Sequence, residues 1–194
     1  GGAPIAAAGD VLNVTVPAGA GTTTFTPGPE SDAGAFSFGA LASISYDQIE
    51  SLGPVDVSAS GGAVVVLGTN ADNDITVIGT GVDSFTVSVD GSPAVTFTGA
   101  ASLTVDGLAG DDDIDVEVNA LALASLTIVG NLSTASGGDV LTLSGGSVVN
   151  FAPATADGGT VTVDGQAITL ASLEQVVYDG EAGGDALTVT TPAG

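Results

Sequence analysis

A short phrase that recurs along the whole chain constrains its fold more than any other feature. In each copy an acidic residue at a turn leads into a short strand in which apolar residues alternate with polar ones. Such alternation is typical of strands with one buried face. The copies begin at Asp10, Asp74, Asp113, Asp139 and Asp185.

A second phrase, Ser-Leu followed by a strand, indicates the length of the repeat. Its leucines are 51, 23 and 47 residues apart, roughly two, one and two multiples of one period, as expected for stacked repeats. The 30 Gly and 8 Pro residues divide segments rich in Val and Thr, which predicts an all-β chain. The phrase begins at Ser51, Ser102, Ser125 and Ser172.

Two architectures fit these repeats. A rung near 23 residues predicts a parallel β-solenoid, in which each turn buries its inner face against the next. The segment Thr160 to Leu170 has an Asp-Gly step between two alternating runs, which favours a tandem β-sandwich of antiparallel hairpins. We predict the solenoid and keep the sandwich as the alternative. One repeat-built unit is expected over residues 1–194, with a subdivision into 1–60 and 61–194 as the other organisation.

The charge of the chain excludes several functions. It has 23 Asp and Glu residues and no Lys, Arg or His, so its formal net charge is -23. Nucleic acids and anionic membranes are bound chiefly by Lys and Arg, which excludes both as partners, and no apolar run is long enough for membrane insertion. Without His, Lys or Cys the common nucleophilic and acid–base mechanisms lack their residues, so we predict that the chain is not an enzyme.

Two acidic turns share a nine-residue pattern. Residues 107–115 and 180–188 both follow Gly-x-x-Gly-x-Asp-x-apolar-x, with Asp112 and Asp185 at the sixth position. Weaker copies centre on Asp10 and Asp139, and a further copy has Asn73 in place of the Asp. The pattern resembles the haemolysin-type (RTX-like) calcium-binding nonapeptide, and the broader pattern of repeats is similar to tandem β-repeat regions of bacterial extracellular and surface proteins.

The resemblance implies a Ca²⁺ site, because in that family Asp and carbonyl oxygens of successive turns bind the ion. The residues that it assigns as ligands here are Asp111, Asp112, Asp113, Asp139 and Asp185. In this chain the copies are isolated instead of tandem, and the other interpretation is that Gly and Asp only form turns. No cofactor is otherwise expected.

Three smaller features concern the surface. Asp113, Asp115 and Glu117 would share one face of a strand, which must be solvated or bind a cation because unpaired buried carboxylates are too costly. Asn13 and Asn131 each begin an Asn-x-Ser/Thr sequence and are predicted glycosylation sites. Surface glycans are also among the expected partners, since the charge of the chain does not exclude a carbohydrate.

The two ends of the chain carry nearly the same sequence. Residues 9–19 read GDVLNVTVPAG and residues 184–194 read GDALTVTTPAG. If one subunit's end occupies or stacks on the place of its neighbour's beginning, the contact is head to tail and generates a filament. The alternative is that both are ordinary repeats of one phrase. The assembly residues predicted from this pair are Asp10, Leu12, Val14, Val16, Asp185, Leu187 and Val189.

Together these features predict a non-enzymatic structural protein, a subunit of an extracellular filament or surface matrix whose partners are copies of itself. The composition, which is acidic, rich in Thr and Gly and free of Lys, favours an extracellular or cell-surface location. The alternative function is a calcium-binding repeat module of a larger adhesin.

Overall fold

A computed structural model describes residues 9–39, 41–131, 138–180 and 184–190 of the chain. Within these residues there are 19 β-strands and one 3-10 helix at Ser58–Ser60, but no α-helix. Consequently no helix of the described part is long and apolar enough to cross a membrane.

The strands are short, and most have one buried face, as the alternating sequence predicts. The first nine are β1 (Val11–Leu12), β2 (Thr23–Pro27), β3 (Gly34–Phe38), β4 (Leu41–Tyr46), β5 (Ser51–Leu52), β6 (Val55–Asp56), β7 (Ala63–Leu67), β8 (Asp74–Gly81) and β9 (Ser84–Val89). The remaining ten are β10 (Val95–Thr98), β11 (Ser102–Asp106), β12 (Asp113–Glu117), β13 (Ser125–Val129), β14 (Val140–Ser144), β15 (Val148–Pro153), β16 (Gly159–Val163), β17 (Gln166–Ala171), β18 (Gln175–Tyr178) and β19 (Ala186–Val189).

The central part is a β-solenoid of about four turns, which confirms the predicted fold class. Each turn gives one strand to each of two parallel stacks. The first stack is β7-β11-β13-β17 and the second is β8-β12-β14-β18. Inward-facing Leu, Ile and Val of neighbouring turns lie in register, as Ile75, Ile114 and Leu141 do in the second stack. These three side chains are fully buried.

Antiparallel hairpins are inserted between turns of the solenoid. One extends β8 through β9 to β10, and the other runs through β15, β16 and β17. Their Asp90-Gly91 and Asp164-Gly165 turns have positive φ at both residues, the conformation of a type I′ hairpin turn. The hairpin predicted within Thr160 to Leu170 is thus present, but it extends a solenoid sheet instead of forming a sandwich.

The insertions explain the uneven repeat lengths. Ser102 aligns with Ser125, 23 residues further on, in the one turn without a hairpin. The hairpins lengthen the other turns, so that Ala63 aligns with Ser102 and Leu126 with Ile168. The Ser-Leu phrases at Ser51 and Ser172 do not belong to this stack. Ser51 begins β5, which pairs with β1, while Ser172 follows β17 with a φ of 54°.

The two ends of the solenoid differ in what covers them. At the N-terminal end, β2, β3 and β4 extend the first sheet, and β6 closes the second sheet beside β10. Aromatic pairs fill this end, with ring centroids 5.4 Å apart for Phe25 and Phe36 and 5.5 Å apart for Phe85 and Phe97. At the other end the first sheet continues through β16, β15 and β19, whereas the second stops at β18 among the described residues.

Candidate functional site: a corner ladder and an open sheet edge

A column of polar side chains lines the corner where each turn enters the second parallel stack. The column, named here the corner ladder, consists of Asn73, Asp112, Asp139 and Glu174, each directly before a strand. The backbone N–H of each of the first three residues donates to a side-chain oxygen of the ladder residue in the next turn. The N···O distances are 2.9 Å from Asn73 to Asp112, 2.9 Å from Asp112 to Asp139 and 2.7 Å from Asp139 to Glu174. The ladder therefore satisfies N–H groups that would otherwise be buried without a partner.

A column of buried glycines faces the ladder. A Cβ at Gly107 would lie 2.1 Å from Oδ2 of Asp112, and one at Gly130 would lie 2.3 Å from Oδ2 of Asp139. At Gly68 the nearest side-chain atom of the ladder is Oδ1 of Asn73, at 2.7 Å. No side chain fits at such distances, so glycine at this corner is required for space.

Asp112 is the electrostatically unusual member of the ladder. Its side chain is fully buried, and its Oδ2 has no hydrogen-bond partner among the described residues. Burial raises the pKa of this carboxyl to about 6, against the lowering effect of the Asn73 N–H. Repulsion from Asp139, Asp72 and Asp90 raises it further.

The structure brings only some of the predicted calcium ligands together. Asp112 and Asp139 lie in register one turn apart, as expected from the nonapeptide pattern. Asp111 donates its N–H to Asp72, Asp113 begins β12 on the outer face, and Asp185 precedes β19 at the far sheet edge. Calcium binding by these residues stays a prediction.

A different set of carboxylates lies closer together. Oxygens of Glu30, Asp32 and Asp47 are all within 4.8 Å of one another, the sole such acidic group in the part of the chain that is described. Sequence patterns did not indicate it because β3 and β4 separate Asp47 from the other two residues. Exposed acidic groups are common on a chain of this charge, so the proximity alone assigns no metal.

The other predicted surface residues lie as follows. Asp113, Asp115 and Glu117 share the outer face of β12, as the alternation predicts. Asn13 is exposed. Asn131 is half-buried, and its side-chain amide donates to Asp106, while the rest of its glycosylation sequence lies outside the described residues. Glycosylation at both positions stays a prediction.

Two further aspartates hold the inserted hairpins. Asp164 accepts hydrogen bonds from the N–H groups of Ser147 and Val148, which lower its pKa. Asp90 in the other hairpin accepts from the N–H of Asp74 in the same way. Residues 85–91 and 160–165, which both end in an Asp-Gly step, thus share one turn structure.

The predicted assembly residues fall in two different environments. Asp10 donates its N–H to Glu50 at 2.6 Å, and Val14 and Val16 are each only 6% exposed. At the other end, Leu187 and Val189 of β19 are each 54% exposed. They line an apolar cleft of about 140 Å³ with Leu143, Val149, Phe151, Val161, Val176 and Tyr178.

In comparisons with known proteins, no family model matches the chain, and neither a curated protein nor a solved structure matches it.

Proposed function

We propose that this protein is a structural subunit of an extracellular filament or surface matrix, and that copies of it assemble head to tail through the ends of the solenoid. The observation that carries the proposal is the open edge of β19. This strand pairs with β15 on one side and with no described strand on the other, and two of its apolar side chains are half-exposed over an apolar cleft.

An unpaired edge with apolar side chains favours association between sheets. Its free N–H and C=O groups can pair with another strand, and monomeric proteins usually protect such edges with charge, Pro or a bulge. None of the four residues of β19 is charged or Pro. The net charge of -23 opposes random aggregation, so association is expected to be confined to such an edge.

Negative-stain electron microscopy of the purified chain tests the proposal, in chelator and again in millimolar calcium at matched ionic strength. Uniform fibres are expected in both conditions. Val189→Asp should abolish them, because it places a charge at the open edge. Val82→Asp is the matched control, since Val82 is 62% exposed and lies between β8 and β9. Monomers of the unaltered chain in both conditions would contradict the proposal.

Calcium binding is the second candidate function, favoured by the buried Oδ2 of Asp112 beside Asp139. A cation there would offset the repulsion between the two carboxylates. In this case calcium should raise the melting temperature more than magnesium at equal ionic strength, and Asp112→Asn should remove the difference. Equal melting temperatures in the two salts would exclude it.

A further inference from the structure

We propose that β19 of one copy takes the place that residues 9–16 occupy in the next copy, and pairs there in parallel with β5. This inference rests on the proposed head-to-tail assembly and specifies its joint. The first observation behind it is sequence identity, because eight of the eleven residues in 9–19 and 184–194 are the same. In the structure, the first copy of this sequence already occupies a defined place beside β5.

A small number of hydrogen bonds at β5 hold residues 9–12 in that place. Ser51 and Gly53 donate their N–H groups to the carbonyl oxygens of Asp10 and Leu12, at 3.2 Å and 2.9 Å. The carboxylate of Glu50 accepts the Asp10 N–H at 2.6 Å. Strand β1 has only two residues, so another strand of like sequence can compete for its place.

The contact between Glu50 and a Gly-Asp step recurs inside the solenoid. At β14 and β18 the N–H of Asp139 donates to Glu174, and Gly138 lies against the same glutamate. Gly9 lies against Glu50 in the same way. Gly184-Asp185 is a further Gly-Asp step, and no described atom lies within 4 Å of where a Cβ of Gly184 would be. In the joint, Glu50 of the next copy would lie against Gly184, as Glu50 now lies against Gly9.

The backbone N–H and C=O groups at the free edge of β19 belong to the residues that pairing with β5 requires. Ala186 and Thr190 donate their N–H groups to β15, to the carbonyl oxygens of Ser147 and Phe151. Because N–H and C=O groups of alternate residues point to opposite sides of a parallel strand, those of Asp185 and Leu187 point to the free edge. These two residues correspond to Asp10 and Leu12, whose carbonyl oxygens β5 binds.

The exchange would bury one side chain of β19 in the place that its counterpart in residues 9–16 leaves. Val189 corresponds to Val14, yet Val189 is 54% exposed while Val14 is 6% exposed. In the joint, β19 keeps its pairing with β15 and adds pairing with β5 of the next copy. The result is a sheet that is continuous from one subunit to the next.

Cysteine cross-linking tests this joint, because the chain contains no cysteine of its own. Ala186 in the joint would lie opposite Ser51, as Val11 does now. Oxidised Ala186→Cys/Ser51→Cys should form covalent dimers and higher oligomers on a non-reducing gel. Parallel neighbours about 4.8 Å apart are within reach of a disulfide. All three positions are exposed, so the substitutions should leave the fold intact.

Two further variants make the result decisive. Val11→Cys/Ser51→Cys should close a disulfide within one chain, which holds β1 on β5, and fibres should be lost until the disulfide is reduced. Ala186→Cys/Ser45→Cys reports end-to-end stacking on β4 instead of exchange. Fibres that cross-link through position 45 and not position 51, or that persist when β1 is held, would overturn the exchange and leave filament assembly standing. Absence of fibres from the unaltered chain would overturn both.

Discussion

Two four-residue phrases that differ at one position, GDVL at 138–141 and GDAL at 184–187, have opposite environments in the middle of the solenoid and at its end. Gly138-Asp139 leads into β14, where Leu141 is fully buried, whereas Gly184-Asp185 leads into β19, where Leu187 is 54% exposed. Strand β14 has neighbours on both sides, and β19 has one among the described residues. In a fold of stacked turns, burial is thus decided by the adjacent turn as much as by a strand's own sequence.

The largest effect that this comparison predicts lies at the interior corner. Gly130→Ala should lower the free energy of unfolding by more than about 4 kcal/mol, because overpacking here has no space to relax. The added Cβ would lie 2.1 Å from the carbonyl oxygen of Ser172. Urea unfolding followed by circular dichroism measures the loss.

Gly81→Ala is the matched control for this substitution. Its Cβ would have its nearest contact at 3.6 Å, with Ser84, which is an ordinary van der Waals distance. Similar unfolding midpoints for the two variants would show that the corner is not as closely packed as described.

The second prediction compares the two leucines directly. Leu141→Ala should lower the free energy of unfolding by about 3 kcal/mol, the usual result of truncating a fully buried leucine. Leu187→Ala should lower it by about 0.5 kcal/mol or less in the unassembled protein, as at other surface positions. Urea unfolding at low protein concentration separates the two. Equal losses would mean that β19 is as well covered as β14.

The third prediction is a dependence of stability on pH at the corner ladder. The pKa of Asp112 is raised to about 6 in the fold. An unfolded Asp has a pKa of about 3.9, so the folded state binds the proton more tightly between these values. The favourable contribution is therefore fully present below about pH 4 and is lost as pH rises through about 6, a change of about 3 kcal/mol.

Asp112→Asn isolates this contribution, because an amide can still accept the hydrogen bond from Asn73. The variant should gain stability relative to the unaltered protein between pH 4 and pH 7, as measured by urea unfolding at each pH. The exposed Asp115→Asn is the control for the removal of one negative charge. A pH-independent difference for Asp112→Asn would contradict the assignment of the shift to this carboxyl.

The smallest predicted effect separates the cost of a strained backbone conformation from the cost of a steric overlap. Gly165 has a φ of 98° and no atom within 4 Å of a Cβ position. Gly165→Ala should therefore cost about 1 kcal/mol, which is the strain of an L-residue in a left-handed conformation alone. A loss as large as that of Gly130→Ala, measured in the same urea series, would show that the distinction between the two glycines is wrong.

Much of the fold could be predicted from alternation and turn residues. The solenoid and the Asp-Gly hairpin were both indicated, because each depends on local periodicity and on Gly at positive φ. Their combination could not be predicted, since where a hairpin joins a sheet depends on contacts between distant residues. For the same reason the Ser-Leu phrase at Ser172 matched the repeat in sequence but lies outside the stack.

The candidate site was predictable only in part. The nonapeptide pattern identified Asn73, Asp112 and Asp139 as equivalent, and the structure places them in one column. Glu174 and Glu50 were missed, because a longer side chain one turn away fills the same role without following the pattern. The signal that could have found them is the apolar-Glu step directly before each strand, at residues 49–50 and 173–174.

Amide hydrogen exchange tests the central claim most directly, when measured residue by residue on the unassembled protein and on its fibres. The amides of Asp185 and Leu187 should exchange rapidly in the unassembled protein and become protected in fibres. The amide of Leu141 should be protected in both states. Equal, rapid exchange of Asp185 and Leu187 in both states would contradict the claim that the open edge of β19 joins one subunit to the next.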